Sequence, residues 1–415
     1  MNITTVDCAP ESLLHDYEIP VASRGENIQA VAHSVALTFI AIMTKVFGIR
    51  THGDGAITSP AATLLTTPAG RDLLKKYIRL VSNHLQIIYS EYHLITQPRE
   101  TSNFIVPETL SVTSAAEQNE LQLQLPEQCS IRNRAAVQER LDEFAALLRQ
   151  RGFVAYKDSH IILNPKTHFA VAMIYDETLG KICLHIRDTA SDAFWEDGSW
   201  VNWMADIGQG LGLMPPVYAD GDMFVRGCVE IFGAGNLQIT GYSMGGGIGM
   251  FAGVRNSVPA VLYNPAFLSP NQLQFFPTDW KIFAQEHIQV ISTSNDLLSR
   301  GIDNPDTGGL LPTGLFEGAQ VYTTDPADGA RGPASGLRNA VSGHFLSTLL
   351  FGLMRTALQH PELCEYALQI LQNLPEQVQM AFIQQNAPLF ARLLQAGMIA
   401  MLASRCQLTP QMQAA

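Results

Sequence analysis

The amino-acid sequence predicts an α/β fold with a mainly parallel sheet, flanked by N- and C-terminal helical regions. Three observations carry that expectation: short β-branched runs separated by turn residues from about residue 153, a strand–glycine–helix junction at 237–250, and helical periodicity before 150 and after 345. With 415 residues, the chain has room for two or three domains of roughly 150 residues.

Residues 1–150 read as a helical region, with runs at 28–49, 71–95 and 133–151. In the third run Val137, Leu141, Phe144, Leu147 and Leu148 recur at three- and four-residue steps and so share one face. The first run is interrupted by His33, Ser34, Thr38, Thr44 and Lys45, which predicts a buried helix rather than a membrane span. Between the second and third runs, residues 97–130 are rich in Ser, Thr, Gln and Glu and read as a polar linker.

Residues 151–350 form the predicted α/β domain. HIILNP, HFAVAMIYDE, a turn at Thr178 to Gly180 and KICLHIRDT describe a meander whose last strand is buried on both faces. Further strands are expected at 237–240, 260–263, 287–292 and 319–323. Segments able to hold helices separate the first three, which favours parallel pairing. Residues 351–415 form a C-terminal helical region, in runs punctuated by Pro361, Pro375 and Pro388.

Composition narrows the function. Charged residues are 15% of the chain, against a usual figure of about 25%, and apolar residues are 47%, so the chain is a folded protein rather than a charge-solvated one. Twenty-six basic against 38 acidic residues leave a net charge of −12, which repels phosphate backbones and argues against general nucleic-acid binding. The six cysteines have no C-x-x-C spacing, so neither a zinc knuckle nor a small disulfide scaffold is expected, and a reducing compartment fits. The first twenty residues carry Asp7, Glu11, Asp16 and Glu18 and lack a basic start before an apolar run. The expectation is a cytoplasmic protein, or one exported without an ordinary signal peptide, into a host cell in one version. No Walker or dinucleotide motif is present, and His160, His168 and His185 lack ligand spacing, so no cofactor or metal is expected.

One motif carries chemistry. Residues 237–250, LQITGYSMGGGIGM, run from an apolar strand through Gly241-Tyr242-Ser243-Met244-Gly245 into small residues that open a helix. A serine hydroxyl is a weak nucleophile, and it needs a tight strand-to-helix turn that presents it to a base and to oxyanion donors. Such a turn calls for an acid and then a histidine further along the chain. Of the three histidines after Ser243, His287 starts a predicted strand and His360 lies in a helical pattern. His344, in the turn VSGHF before a helix, is the favoured base. Asp296, just beyond the predicted strand HIQVIS, is the favoured acid, ahead of Asp303, Asp306, Asp325 and Asp328 in Gly- and Pro-rich loops.

The sequence at this point resembles the class 3 lipases, the α/β-hydrolase family that includes the fungal triacylglycerol lipases. Three blocks carry the resemblance: KICLHIRDTAS with the later VNWMADIG, the elbow ITGYSMGGGIG, and VISTSNDLLS. The likeness covers roughly residues 155–345. It implies an α/β-hydrolase core and a serine hydrolase acting on lipid carboxylic esters, as a lipase or phospholipase, at a lipid or membrane-surface substrate. It further implies that Thr189 and the backbone N–H of Met244 form the oxyanion hole. Two departures are visible: Asp188 replaces the family's glycine, and SDAFWEDGSW lengthens the segment that forms the family's lid. Residues 192–217 hold Trp195, Trp200 and Trp203 with Met204 and Met214, a composition found in amphipathic lids. Trp203 is read as a core residue, and Trp195 and Trp200 either face lipid or are buried against the N-terminal helices. The alternatives are an acyltransferase or thioesterase with the same triad, or a hydrolase fold that Asp188 has impaired and whose helical flanks bind a protein partner.

Overall fold

A computed structural model describes residues 58–87, 118–125, 129, 133–156, 161–167, 169–187, 215–266, 268, 270–293, 320–324, 346–387 and 389–391. From the amino end, β1 (Thr58–Pro60) leads through a 3-10 turn into α1 (Pro68–Gln86). After β2 (Gln118–Asn119) and α2 (Arg134–Gln150) come β3 (Val154–Tyr156), β4 (Ile161–Asn164), β5 (Phe169–Asp176) and β6 (Lys181–Ile186). Then follow α3 (Pro216–Phe232), β7 (Leu237–Tyr242), α4 (Met244–Arg255) and β8 (Ala260–Tyr263). The chain continues through the single turn α5 (Pro270–Leu273), α6 (Trp280–His287), β9 (Ile288–Thr293) and β10 (Gln320–Thr324). It closes with α7 (Leu346–Leu358), α8 (Pro361–Asn373) and α9 (Glu376–Gln385). The architecture is mixed α/β.

Contacts group these elements into two compact units. The first holds β2 to β8 with α2 to α6, and the second holds β1, α1, β10 and α7 to α9. The grouping differs from a linear division of the chain, since α1 joins the C-terminal helices whereas α2 joins the sheet.

In the first unit the strands lie in the order β8-β7-β6-β5-β4-β3-β2. Pairing is antiparallel from β2 to β6 and parallel from β6 to β8. The connections explain the change. Between β5 and β6 the turn is tight: Gly180 at φ 61° donates its N–H to Asp176 O at 2.8 Å, and the Leu179 N–H bonds Asp176 Oδ1 at 2.9 Å. Between β6 and β7, and again between β7 and β8, a helix supplies the crossover that parallel strands need. Hence the expected meander is present, and the expected parallel arrangement belongs to β6, β7 and β8.

All of β7 and all but the first residue of β6 are buried, and α4 packs on both and on β8. The sequence reading did not foresee α3, which packs on α4 and β5. Pro216 at its first turn and Gly233 at φ 80° after its end bound it. Asp220 of α3 accepts hydrogen bonds from Asn164 Nδ2 at 2.8 Å and from the Thr167 hydroxyl, fastening the helix to the turn after β4. Burial pushes that carboxyl up, against the opposing pull of those hydrogen bonds.

The polar linker expected over 97–130 is corrected for residues 118–125. β2 pairs with β3, and Leu121, Leu123 and Leu125 are buried while Glu120, Gln122 and Gln124 are exposed. The cause is the strict alternation in LQLQL, which lays every leucine on one face of an extended chain.

In the second unit α1 buries Leu74, Tyr77, Ile78, Val81 and Leu85 and packs on α7 and α8. Arg71 meets Glu362 at 2.8 Å, the Tyr366 hydroxyl donates to Lys75 O at 2.9 Å, and Gln86 Nε2 donates to Asn373 O at 2.7 Å. β1 pairs with β10 in parallel. Among the described residues no helix is long and apolar enough to cross a membrane, and the run at 28–49 lies outside them. Cys129, Cys183, Cys228 and Cys364 are buried free thiols.

Leu123→Ala is expected to lower the unfolding free energy by about 2–3 kcal/mol, since it empties a packed position. Gln122→Ala, one residue away on the exposed face, is expected to stay within about 0.5 kcal/mol. Urea denaturation of the two variants checks the reading, and equal effects would return this segment to a linker.

Candidate active site

Ser243 stands between β7 and α4 with φ 55° and ψ −124°. A non-glycine residue avoids that region unless its surroundings force it there. Here they do. The Ser243 N–H donates to Tyr263 O at 3.1 Å, and Ser243 O accepts from the Ala266 N–H at 2.8 Å and the Gly247 N–H at 3.1 Å. The serine's peptide groups are therefore tied to the exit of β8 on one side and to the first turn of α4 on the other.

The flanking glycines are steric requirements of this corner. A Cβ on Gly241 would stand 2.2 Å from Gly245 O, and one on Gly245 would stand 2.3 Å from Arg187 O and 2.4 Å from Ile186 O. Those atoms are backbone, so no side-chain rotation relieves the clash. Gly246 is pressed in the same way against Pro265, at 2.7 Å from a Cβ to its ring. The carboxyl end of β6 thus lies directly against the start of α4, with Ile186 in register with Gly241.

Met244 is the first residue of α4, and helix geometry leaves its N–H without an intrahelical acceptor. The positive end of a twelve-residue helix therefore faces the corner that carries the serine hydroxyl. A helix start of this kind favours negative charge placed near it. Ser243 itself is enclosed, with 6% of its surface exposed.

Beneath the corner, His185 of β6 lies opposite Thr240 of β7. The Thr240 hydroxyl and His185 Nδ1 share a hydrogen bond of 2.6 Å. Burial pushes the imidazole down to about 4, against the opposing charge of Asp176, so it is neutral at pH 7. His185 is thus a core histidine. Of the other histidines weighed, His287 ends α6 exposed, with its ring 4.8 Å from that of Phe283, and His360 precedes the first turn of α8.

No protein-family model and no curated protein matches this chain.

Ser243 and Met244 are therefore the sequence-derived site residues whose surroundings are described. Thr189, Asp188, Asp296 and His344 lie outside the described residues, as do Trp195, Trp200 and Trp203. The structure adds Asn264, which the sequence reading passed over. It is fully buried, holds φ 39°, and follows β8 beside the corner. Only the run Tyr263-Asn264-Pro265 hinted at it, since asparagine before proline marks a turn.

Gly245→Ala is expected to destabilise the chain by at least about 2 kcal/mol, because overpacking against backbone cannot relax. Gly235→Ala is its control, with open space around the added methyl. Denaturation midpoints of the pair test the point, and a neutral Gly245→Ala would contradict the close approach of β6.

His185 supplies a pH dependence. Its folded pKa lies near 4 and its ordinary value is 6.5, so below 6.5 the unfolded chain binds a proton that the folded chain refuses. Stability is expected to fall as pH drops from about 6.5 to about 4, by on the order of 3 kcal/mol. In denaturation series across that window, His185→Gln should flatten the slope by about one proton, and an unchanged slope would assign the acid sensitivity to another group.

Proposed function

We propose that this chain is a serine hydrolase that cleaves lipid carboxylic esters through an acyl-enzyme, with Ser243 as nucleophile. The observation that carries the reading is the backbone corner at Ser243, at φ 55° and ψ −124° between β7 and the glycine-rich start of α4. A strained strand-to-helix turn between two glycines is what an activated serine needs, and strain of this kind gathers at functional sites.

In this reading Ser243 Oγ attacks the ester carbonyl carbon while His344 takes the hydroxyl proton. Asp296 holds the imidazole in the tautomer that accepts that proton and stabilises the cation that results. The N–H of Met244, with Thr189, holds the oxyanion of the tetrahedral intermediate. As the intermediate collapses, the bond to the departing alcohol breaks and His344 returns the proton to that oxygen. Water then repeats the attack on the acyl-enzyme, freeing a carboxylic acid and restoring Ser243. Every step uses side chains and backbone of the chain itself.

The lipid class rests on the resemblance of KICLHIRDTAS, ITGYSMGGGIG and VISTSNDLLS to class 3 lipases, and on the tryptophans and methionines concentrated at 192–217. The chain order Ser243, Asp296, His344 is the order that a nucleophile elbow requires.

A fluorophosphonate probe tests the reading, because it phosphonylates only an activated serine. Wild-type chain is expected to label and Ser243→Ala to remain unlabelled with its cooperative unfolding intact. A folded wild type that resists the probe would remove the hydrolase.

A further inference from the structure

Four non-glycine residues hold a positive φ among those described: Asn133, Ser243, Ser257 and Asn264. Asn133 precedes α2 and Ser257 follows α4, and both lie exposed at helix ends. Asn264 has no such excuse. It leaves the buried strand β8 at φ 39° and exposes none of its surface.

Its neighbours explain what the bend accomplishes. Tyr263, immediately before it, accepts the Ser243 N–H, and Ala266, two residues after it, donates to Ser243 O. An extended continuation of β8 would carry Ala266 away from the serine. The turn at Asn264 brings it back, so that one short loop grips both peptide groups of the corner. The loop also fills the space above α4: Pro265 abuts Gly246, and Ala266 O would stand 2.9 Å from a Cβ on Gly247. Glycine meets the backbone requirement without strain, yet the chain carries a fully enclosed amide there. A buried amide must find hydrogen-bonding partners, and an enclosed one holds its neighbours in place through them.

We infer that Asn264 is a positioning residue for Ser243: its bent backbone and enclosed amide together lock the β8 exit onto the nucleophile corner and so aim the serine hydroxyl. The inference rests on the serine-hydrolase reading. Misplacing a reacting group by about 1 Å costs on the order of a hundredfold in rate, so a loosened corner acts on turnover before it acts on folding.

The experiment compares wild type with Asn264→Gly, which keeps the backbone bend and deletes the amide. Second-order inactivation by a fluorophosphonate and hydrolysis of p-nitrophenyl butyrate are measured beside thermal unfolding. Expected is a fall of at least about tenfold in inactivation rate and in kcat, with KM within about twofold and a cooperative unfolding transition retained. A purely structural role would instead lower Tm and leave the rate per folded molecule unchanged. Equal rates for wild type and Asn264→Gly overturn the inference and leave the hydrolase standing, whereas folded wild type that neither labels nor hydrolyses the ester overturns both. Should Asn264→Gly fail to fold, Asn264→Asp, of the same shape, gives the same readout: slowed kcat at unchanged KM supports the role, and wild-type kcat removes it.

Discussion

The constraint on which the first unit turns is the reversal of the backbone at Ser243, where a fully buried strand must pass into a helix within one residue. At φ 55° and ψ −124° the serine is in a region that costs of order 1–3 kcal/mol, and the neighbouring loop and helix turn hold it there. Three hydrogen bonds to its own peptide groups do that, drawn from the end of β8 and from α4. Space is the second half of the constraint. β6, β7 and the first turn of α4 meet so closely that Gly241 and Gly245 have no room for a methyl. Strand order, crossover helices and glycine placement all answer to that meeting point.

The helix α4 shows how far the demand reaches. Its sequence, MGGGIGMFAGVR, contains five glycines in twelve residues, each about 1 kcal/mol less favourable than alanine in a helix interior. Such a segment has little helical preference of its own. It is helical because packing compensates: all of it except Arg255 is buried, and Gly249 lets it lie against Ile239 and Leu262. The glycines that weaken the helix in isolation are the ones that let it approach the sheet. Local preference is given up for fit, and the fit keeps the helix terminus beside the serine.

Much of this was legible in the sequence, and the reasons for success and failure are physical. β4 to β8 announced themselves because β-branched residues run between turn residues, and because strands buried on both faces read as near-continuous apolar runs. The corner was legible because a strand-to-helix turn this tight calls for glycine on either side of the serine, at positions 241 and 245. The helix α3 was not, since Gly221 and Gly227 inside it dilute the helical signal and a tryptophan-rich segment precedes it. The strand at 118–119 and the buried leucines after it were hidden by composition, for glutamines between leucines look polar on average while alternating perfectly. The grouping of α1 with α7 and α8 is a pairing of distant segments, which periodicity cannot express. Asn264 escaped notice because its importance lies in a dihedral angle and in the two bonds beside it. Thr189, Asp296 and His344 were reached by chain order and resemblance, whereas Ser243 was reached by sterics, and it is the sterics that the described residues display.

Enclosure of Ser243 bears on what chemistry the corner supports. Ser243 as a residue exposes 6% of its surface, so an alkoxide formed there would be a poorly solvated charge. In the proposed mechanism proton removal is then coupled to attack, with a base in contact and donors already aimed at the place where charge appears. In that mechanism the buried start of α4 meets the second requirement by supplying those donors, and at low effective dielectric its field would act more strongly than in water. His185 cannot meet the first. Its Nδ1 is engaged by Thr240, and its burial, which holds it near 4, makes the protonated form costly. In the proposed mechanism the base for Ser243 therefore comes from an element other than β6.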